Sequence, residues 1–449
     1  MPTSPSRRSI MPTIPDTPAG KQLAWYLDRV ASAGEGATMA DRDHFAPRLS
    51  SARWVPTRDD VRESWRRLLA HVGEFEITSV EEEGDLALSV TVGPADRKRW
   101  RVSCRVEEQE PHRISDIFWE RQFDFDVTVR EATEADAAVL AEIERRCPIT
   151  LGDRSITFDR GDDYFAFARL MEDVTVGLGF ADGVPAAINC GAVHSMRIGG
   201  VERRLMTAIH TRVLPEHQRK GLWGAVSQVF GAKYPPGSNE VSRGFVSVDN
   251  AAMQKGFTNT PDKWDIQALR AQLACATLAG PSSGRPANPD DAARIVEILN
   301  ACHHTEEMYL PYSVNTLAAR LERAPKQYSW DRVWITDGAV VGVWPAGESI
   351  RMIIEGGGGR TESRRGLVLD YGYLPEAEDE LERLLRAWCG WLAERDFDTL
   401  SIFTSERSPG YERLRRLASD IEAFDMWTPG IRPPNGASER GLYVDQIYF

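Results

Sequence analysis

The sequence predicts a multidomain α+β / α/β protein, an α+β unit at the N-terminus followed by two mixed-sheet domains, and three observations lead there. The chain has 449 residues, too many for one hydrophobic core at roughly 150 residues per domain. In its first quarter two helical patterns precede four strand-like runs. From Asp124 onward strand, turn and helix signals alternate, and one such passage returns 155 positions later.

The first domain spans residues 17–123. Leu23, Ala24, Leu27 and Val30 fall at helical spacing in a segment that ends near Gly34, and a second helical pattern covers Thr57 to His71. EFEITSV, LALSVTV, RWRVSCRV and HRISDIFWERQF then read as successive strands separated by Gly, Pro and charged turns. Through TPAGKQLAWYL and PHRISDIFW this domain resembles the ketosteroid-isomerase-like (SnoaL-like) cone fold, which implies a curved sheet around a helix. Asp43, His44 and Asp116 are the acid–base groups such a cone could use, but they read better as solvated side chains. Dimerisation or support of the neighbouring domain is the expected role.

After Phe123 the segment DVTVREATEADAAVLAEIERRC gives a strand, a turn and a helix entered through Thr133 as N-cap. GRPANPDDAARIVEILNAC repeats it: Arg285, Ala287, Asn288, Asp291, Ala292, Ala293, Ile298 and Cys302 match Arg130, Ala132, Thr133, Asp136, Ala137, Ala138, Ile143 and Cys147. Asp182 and Gly183 form a hairpin-turn pair that recurs as Asp337 and Gly338, and Leu214, Pro215 and Glu216 recur as Leu374, Pro375 and Glu376. Two domains of one fold are therefore expected, over residues 124–276 and 285–449, joined through the small-residue stretch from Thr277 to Ala287.

Composition narrows the function. Hydrophobic residues at 42% and charged residues at 27% fit a folded globular chain, and a net charge of −13 opposes general nucleic-acid binding. The six cysteines form neither a CxxC pair nor a disulfide framework, which predicts reduced thiols. No apolar run is long enough to cross a bilayer and the leader has no signal-peptide core, so a cytoplasmic protein without membrane contact is expected. Residues 1–16, rich in Pro, Ser and Thr, are expected to be disordered, with Met11 an alternative start.

The chemistry concentrates in one turn. The strand LMTAIHTRVL runs into PEHQRKGLWGAVSQVFGAKY, where Pro215 ends the ladder and helical spacing begins at Leu222. Gln218, Arg219, Lys220 and Gly221 set backbone N–H groups at the helix start, where free donors and the dipole favour an anion such as a pyrophosphate. Gly221 permits a strained φ or close approach, and Arg219 and Lys220 add positive charge.

VLPEHQRKGLWGAV resembles the Gln/Arg-x-x-Gly-x-Gly/Ala turn of the GNAT superfamily of N-acyltransferases, with Gln218 and Gly221 matching and Trp223 where Gly or Ala is usual. Gly224 follows and could relieve the crowding. The downstream FVSVDNAAMQKGF is similar to the family's fifth strand and fourth helix, through Asn250, Gly256 and Phe257. The resemblance implies acetyl-CoA or another acyl-CoA as co-substrate, held by the segment from Gln218 to Gly224 including Leu222, with Asn250 nearby and Thr211 and Val213 contacting the pantetheine. It also implies direct attack of an amine on the thioester, which needs positioning and proton management but no protein nucleophile.

His210, on the strand beside the expected cleft, and Asp249, after the next strand, are the candidate bases. Each has a structural alternative, His210 as a satisfied strand residue and Asp249 as a helix cap. The acid tyrosine common in the family is missing from NAAMQKGF, where Ala252 or Met253 stands; Tyr371, Tyr373 or the C-terminal GLYVDQIYF are substitutes. In the second copy Glu376, Glu378, Asp379, Glu380 and Glu382 replace the turn and would repel a pyrophosphate, so this degenerate half is expected to wall the acceptor pocket, its acidic strip a solvated helix face. His303 and His304 beside Glu306 and Glu307 point in different directions on a helix, and no metal is expected. The expected function is transfer of an acetyl or short acyl group to a small-molecule or peptide amine, with a non-catalytic acyl-CoA-binding or scaffold protein as the alternative and homo-oligomerisation left open.

Overall fold

A computed structural model describes residues 12–47, 61–93, 99–161, 163–234, 241–251, 253–254, 263–356, 358–428, 434 and 436–448. The expected match at Gly256 and Phe257, the start of the helix expected from Thr57, most of the leader and Phe449 lie outside them. The chain forms two compact units, Met1–Asp126 with Arg219–Gly221, and Val127–Gln218 with Leu222–Phe449.

In the first unit, helix α1 (Pro18–Ala31) starts on Thr17, whose hydroxyl accepts from the Gly20 N–H at 3.1 Å. Helix α2 (Val61–Val72) follows, then the antiparallel meander β1 (Ile77–Glu82), β2 (Ala87–Val92), β3 (Arg99–Val106) and β4 (Ile114–Gln122). Alternation in β3 buries Trp100, Val102, Cys104 and Val106 against the helices. Aromatic side chains fill the interior: Tyr26 and Trp65 lie 5.3 Å apart, and the Trp119 indole N–H donates to the Tyr26 hydroxyl at 3.0 Å. Among the described residues of this unit Asp41 is a buried carboxylate, which pairs with Arg29 at 3.2 Å and accepts from the Trp65 indole. Asp43 and Asp116 are exposed, and His44 stacks on Trp25 at 3.7 Å with Nδ1 on Gln22.

In the second unit the elements are β5 (Val127–Glu131), α3 (Ala137–Arg146), β6 (Ile149–Leu151), β7 (Arg154–Asp159), β8 (Asp173–Ala181), β9 (Val184–Ile198), β10 (Val201–Val213), α4 (Leu222–Val226), α5 (Gln228–Lys233), β11 (Val241–Ser247) and β12 (Ala268–Ala274). Then come β13 (Arg285–Pro286), α6 (Ala292–His303), α7 (Val314–Arg323), β14 (Val333–Ile335), β15 (Ala339–Trp344), β16 (Arg351–Gly356), β17 (Gly359–Tyr373), α8 (Glu378–Ala393), β18 (Thr399–Thr404), α9 (Tyr411–Leu417) and β19 (Asp420–Trp427). One mixed sheet runs β13-β14-β15-β17-β18-β12-β19-β11-β10-β9-β8-β5. Only two neighbouring pairs on this path are parallel, β10 with β11 and β17 with β18.

The repeated segments fold alike. Arg130 holds Asp136 through two hydrogen bonds of 2.8 and 2.7 Å, Arg285 holds Asp291 through two of 2.7 and 2.6 Å, and each carboxylate accepts the N–H of the residue that opens its turn, Thr133 or Asn288. The halves also exchange strands: β12 lies between β18 and β19, and β19 pairs with β11. The paired hairpin turns differ. Asp182 and Gly183 both take left-handed backbone, at φ 49° and 76°, as a two-residue hairpin requires, whereas the Asp337–Gly338 turn is held by Thr336 to Ala339 and by Glu380 accepting the Gly338 N–H at 3.0 Å.

Candidate acyl-CoA site

The middle of β10 sets the geometry. Parallel pairing with β11 covers only Leu205–Thr207 against Val241–Arg243, after which β10 runs on against β9 alone. At the last shared position the buried Thr207 hydroxyl lies 2.9 Å from His194 Nε2 and accepts from Arg243 Nε at 3.2 Å. Arg243, 1% exposed, also contacts the sulfurs of Met196 and Met308, and burial draws its pKa down to about 10.

Beyond that point β10 bulges. The register with β9 shifts between Ile209 and Arg212, and His210 adopts left-handed backbone at φ 50°. Its ring meets Phe167 edge-on at 4.4 Å, and Nδ1 lies 3.0 Å from Arg160 Nη2. A guanidinium can only donate, so Nδ1 is the acceptor and the proton of the neutral ring sits on Nε2. Burial, with Arg160 and Arg212 nearby, keeps the ring neutral well below the usual histidine pKa. Arg160 is in turn anchored on buried Glu144 of α3, which also receives Arg212 at 3.4 Å. The base role expected of His210 is therefore corrected: the lone pair that would accept an amine proton is already engaged.

The turn after β10 keeps the features expected of it. Gln218 Nε2 donates to the Val213 carbonyl at 3.1 Å, closing the turn on the strand end. Arg219 and Gly221 take left-handed backbone at φ 62° and 90°, a conformation that suits glycine and strains arginine. Gln218, Arg219, Lys220, Trp223 and Gly224 are exposed, while Leu222 is buried. Trp223 thus points outward, 48% exposed, and a Cβ on Gly224 would meet nothing, so neither residue crowds its surroundings.

The helix expected from Leu222 is shorter than its apolar spacing suggested. It breaks into α4 and α5 at Ser227, whose hydroxyl bonds back to the Trp223 carbonyl at 3.0 Å in a run containing Gly224, Val226, Val229 and Gly231, all weak helix formers. Close packing compensates: Gly177 and Gly179 leave room for Val226 on β8, where a Cβ would come within 2.8 and 2.3 Å of it, and Phe230 covers Gly191. Asn189 on β9 fastens strand to helix, accepting from Thr211 Oγ1 and donating to Ser227 Oγ, both at 2.9 Å. Thr211 is thereby engaged by protein, whereas Val213 ends β10 with its carbonyl on Gln218.

On the far side Asp249 is exposed and its N–H donates to Ser247 Oγ; Asn250 is the cap, accepting the Met253 N–H at 3.1 Å. Tyr371 and Tyr373 belong to the core of the second half, Tyr371 meeting His303 edge-on at 4.9 Å. From the C-terminal run, Tyr448 stacks on His194 at 3.7 Å, beside the point where β10 and β11 part. Its segment is anchored by Asp445, which pairs with buried Arg320 at 2.7 Å.

The corresponding turn of the second half is closed. Helix α8 follows Leu374 with Glu378, Asp379 and Glu380 in its first turn. The acidic strip is a solvent-accessible helix face on which Arg413 of α9 reaches Glu378, Asp379 and Glu382 at 3.4, 2.7 and 2.9 Å. His303 is buried between Glu306, short-bonded to Nδ1, and the Tyr371 carbonyl, 2.6 Å from Nε2, while His304 turns away onto the Ala301 carbonyl. Among the described residues no cluster of His, Cys, Asp or Glu is arranged to hold a metal ion, and no helix is long and apolar enough to cross a membrane.

Sequence motifs missed Arg160, Glu144, Asn189 and Arg243, because their partners lie far away along the chain. The one local hint was charge on otherwise apolar strand and helix faces.

No protein-family model matches the sequence, and no curated protein is similar to it at the sequence level. Among solved structures, Saccharomyces cerevisiae N-myristoyltransferase with bound myristoyl-CoA is similar with a TM-score of 0.52 at 7% identity, covering 76% of this chain and 88% of that one. A further structure of that enzyme, with myristoyl-CoA and inhibitors, gives 0.50 at 9% identity, covering 71% and 86%. A GCN5-related N-acetyltransferase from Sphaerobacter thermophilus overlaps more loosely, with a TM-score of 0.41 at 13% identity over 68% and 97%. At these identities the likeness is one of fold: the large mixed sheet of this chain is folded as it is in N-myristoyltransferase.

Proposed function

We propose that this protein is an acyl-CoA dependent N-acyltransferase whose cofactor site is the turn Gln218–Gly224 and the diverging stretch of β10. The observation that carries the reading is the coincidence of the parting of β10 from β11 after Thr207 with a left-handed, exposed, cationic turn immediately downstream. Backbone N–H groups in such a turn make a concave anion site, and at Gly221, with φ 90°, the Arg121 side chain lies where a Cβ would stand and adds a further cation beside the turn. The pantetheine would lie along β10 at Ala208–Val213, with Thr211 and Val213 lining it and Asn250 beyond. Nothing requires a metal.

The chemistry is a direct displacement. The neutral amine nitrogen bonds to the thioester carbonyl carbon, the C–S bond breaks, the amine gives up one proton to water and the thiolate takes one from water. Exposed Asp249 is the remaining candidate to accept the amine proton from the water that carries it. We read the two halves of the sheet as copies of one GNAT-type fold, the second degenerate, and the first unit as a cone-like domain. The acceptor is an amine of a small molecule or peptide.

Calorimetric titration with acetyl-CoA and myristoyl-CoA, beside thiol release with a panel of amines, tests the reading. Gly221→Glu should weaken acyl-CoA binding by about 100-fold or more with an unchanged circular dichroism spectrum; unchanged affinity would remove the site from this turn. The missing tyrosine after Asn250 favours a second reading, an acyl-CoA-binding protein without catalysis, and tight binding with no thiol release on any amine would select it.

A further inference from the structure

We propose that His210 serves acyl transfer as a hydrogen-bond donor, its Nε2–H directed at the thioester carbonyl oxygen, with Arg160 and Glu144 as positioning residues that fix this tautomer. The proposal rests on the acyl-transfer reading and assigns a role opposite to proton acceptance.

Four observations carry it. The bulge between Ile209 and Arg212 turns His210 out of the strand's regular alternation, and does so on the stretch of β10 that has left β11. Arg160 Nη2 occupies Nδ1 at 3.0 Å, which leaves the ring with one N–H and no free lone pair. The arginine cannot swing away, because Nε and Nη2 both bond to Glu144, at 2.5 and 3.2 Å, in a site where Arg160 and Glu144 are 2% and 1% exposed. Finally, His210 as a residue keeps part of its surface exposed, although Arg160 seals Nδ1 and Phe167 covers one side of the ring.

The ring faces Arg160, Phe167 and Arg212, and Arg160 in turn faces Glu144 on α3, Tyr164 and, on β9, Cys190. Burial first, and then the Arg160 and Arg212 guanidiniums, oppose a further positive charge and hold the ring pKa well below its ordinary value. A neutral N–H in a fixed position strengthens its hydrogen bond as the carbonyl oxygen gains negative charge in the tetrahedral intermediate, and requires no reorganisation. His210 keeps its proton throughout; the amine and sulfur protons pass through water as described above.

Nitrogen-15 spectra of the imidazole in the full-length protein should show His210 protonated at Nε2 and unprotonated at Nδ1 from pH 5 to 8. His210→Ala should lower kcat about 100-fold with KM for acyl-CoA within twofold. His210→Gln, whose amide nitrogen falls near the position of Nε2, should recover about tenfold. The shape of the pH–rate profile should be the same in wild type and His210→Ala. A proton on Nδ1, a kcat within threefold of wild type for His210→Ala, or loss of an acid-side inflection in that variant would overturn the assignment while leaving the acyl-transfer reading intact. Failure of the wild type to bind acyl-CoA would overturn both.

Discussion

The two halves of the large sheet each place an arginine fifty positions ahead of the long-strand residue it holds, and the two partners differ in what they leave over. In the first half Arg160 donates to His210 at 3.0 Å; in the second Arg320 donates to Asp370 at 3.0 Å. Asp370 is saturated, accepting also from Tyr312 at 2.9 Å and Tyr328 at 2.7 Å, and Arg320 goes on to clamp Asp445. His210 retains an N–H. The turns differ as well: Arg219 and Gly221 take left-handed backbone in one, while beside the other Glu380 caps Gly338 and Arg413 lies on the acidic face. One long-strand residue thus keeps a donor beyond its arginine, while the other is fully taken up by internal bonds.

Breaking the saturated network gives the largest expected effect. Arg320→Met leaves the carboxylates of Asp370 and Asp445 buried without their cation and should cost about 3–5 kcal/mol, read from the midpoint of chemical denaturation. A cost below about 1 kcal/mol would mean that this network does not hold the second half together.

The histidines sharpen the comparison through pH. Burial alone would lower the His303 pKa, but Cys302 and the Glu306 carboxylate reverse this and hold it well above its ordinary value, and both ring nitrogens face acceptors. Such a group adds stability that is fully present below pH ~6.5 and lost as pH rises through the folded pKa. His210 works in the other sense: its depressed pKa means the unfolded chain takes up a proton that the native ring refuses, so stability falls as pH drops below ~6.5. His303→Gln should flatten the alkaline limb of a stability–pH curve and His210→Gln the acid limb; exchange of the two effects would refute the assigned protonation states.

The smallest effect tests where the halves agree. Asp136→Ala and Asp291→Ala each remove the same Arg-held turn and should lower Tm by about 2 °C, equally and additively. Both carboxylates have pKa values held down, chiefly by their arginines, so their contribution exists above the unfolded carboxylate pKa and disappears as pH falls through the folded one. A calorimetric scan of the two variants across pH 2–7 checks both statements.

Much of this was readable from local sequence. Arg130-x-Ala-Thr and Arg285-x-Ala-Asn announced matching turns, and Gln218 to Gly221 announced a strained, cationic bend, because each feature is built within six residues. The break at Ser227 was hidden by apolar periodicity, which registers burial and not the weak propensities of Gly224, Val226 and Gly231. The tautomer of His210 depends on Arg160 and, through it, on Glu144, partners fifty and sixty-six positions away, and no short window contains that information. In the first unit Asp43 is exposed as expected, while the burial of Asp41 was not legible because its partner Trp65 lies on another helix.

The strand exchange has a consequence for how the protein is made. The edge of β11 finds its neighbour only when residues 420–427 have been synthesised, so a nascent chain carries an open β edge for nearly two hundred residues of translation. During that interval the unpaired N–H and C=O groups of that edge are exposed to pairing with other strands.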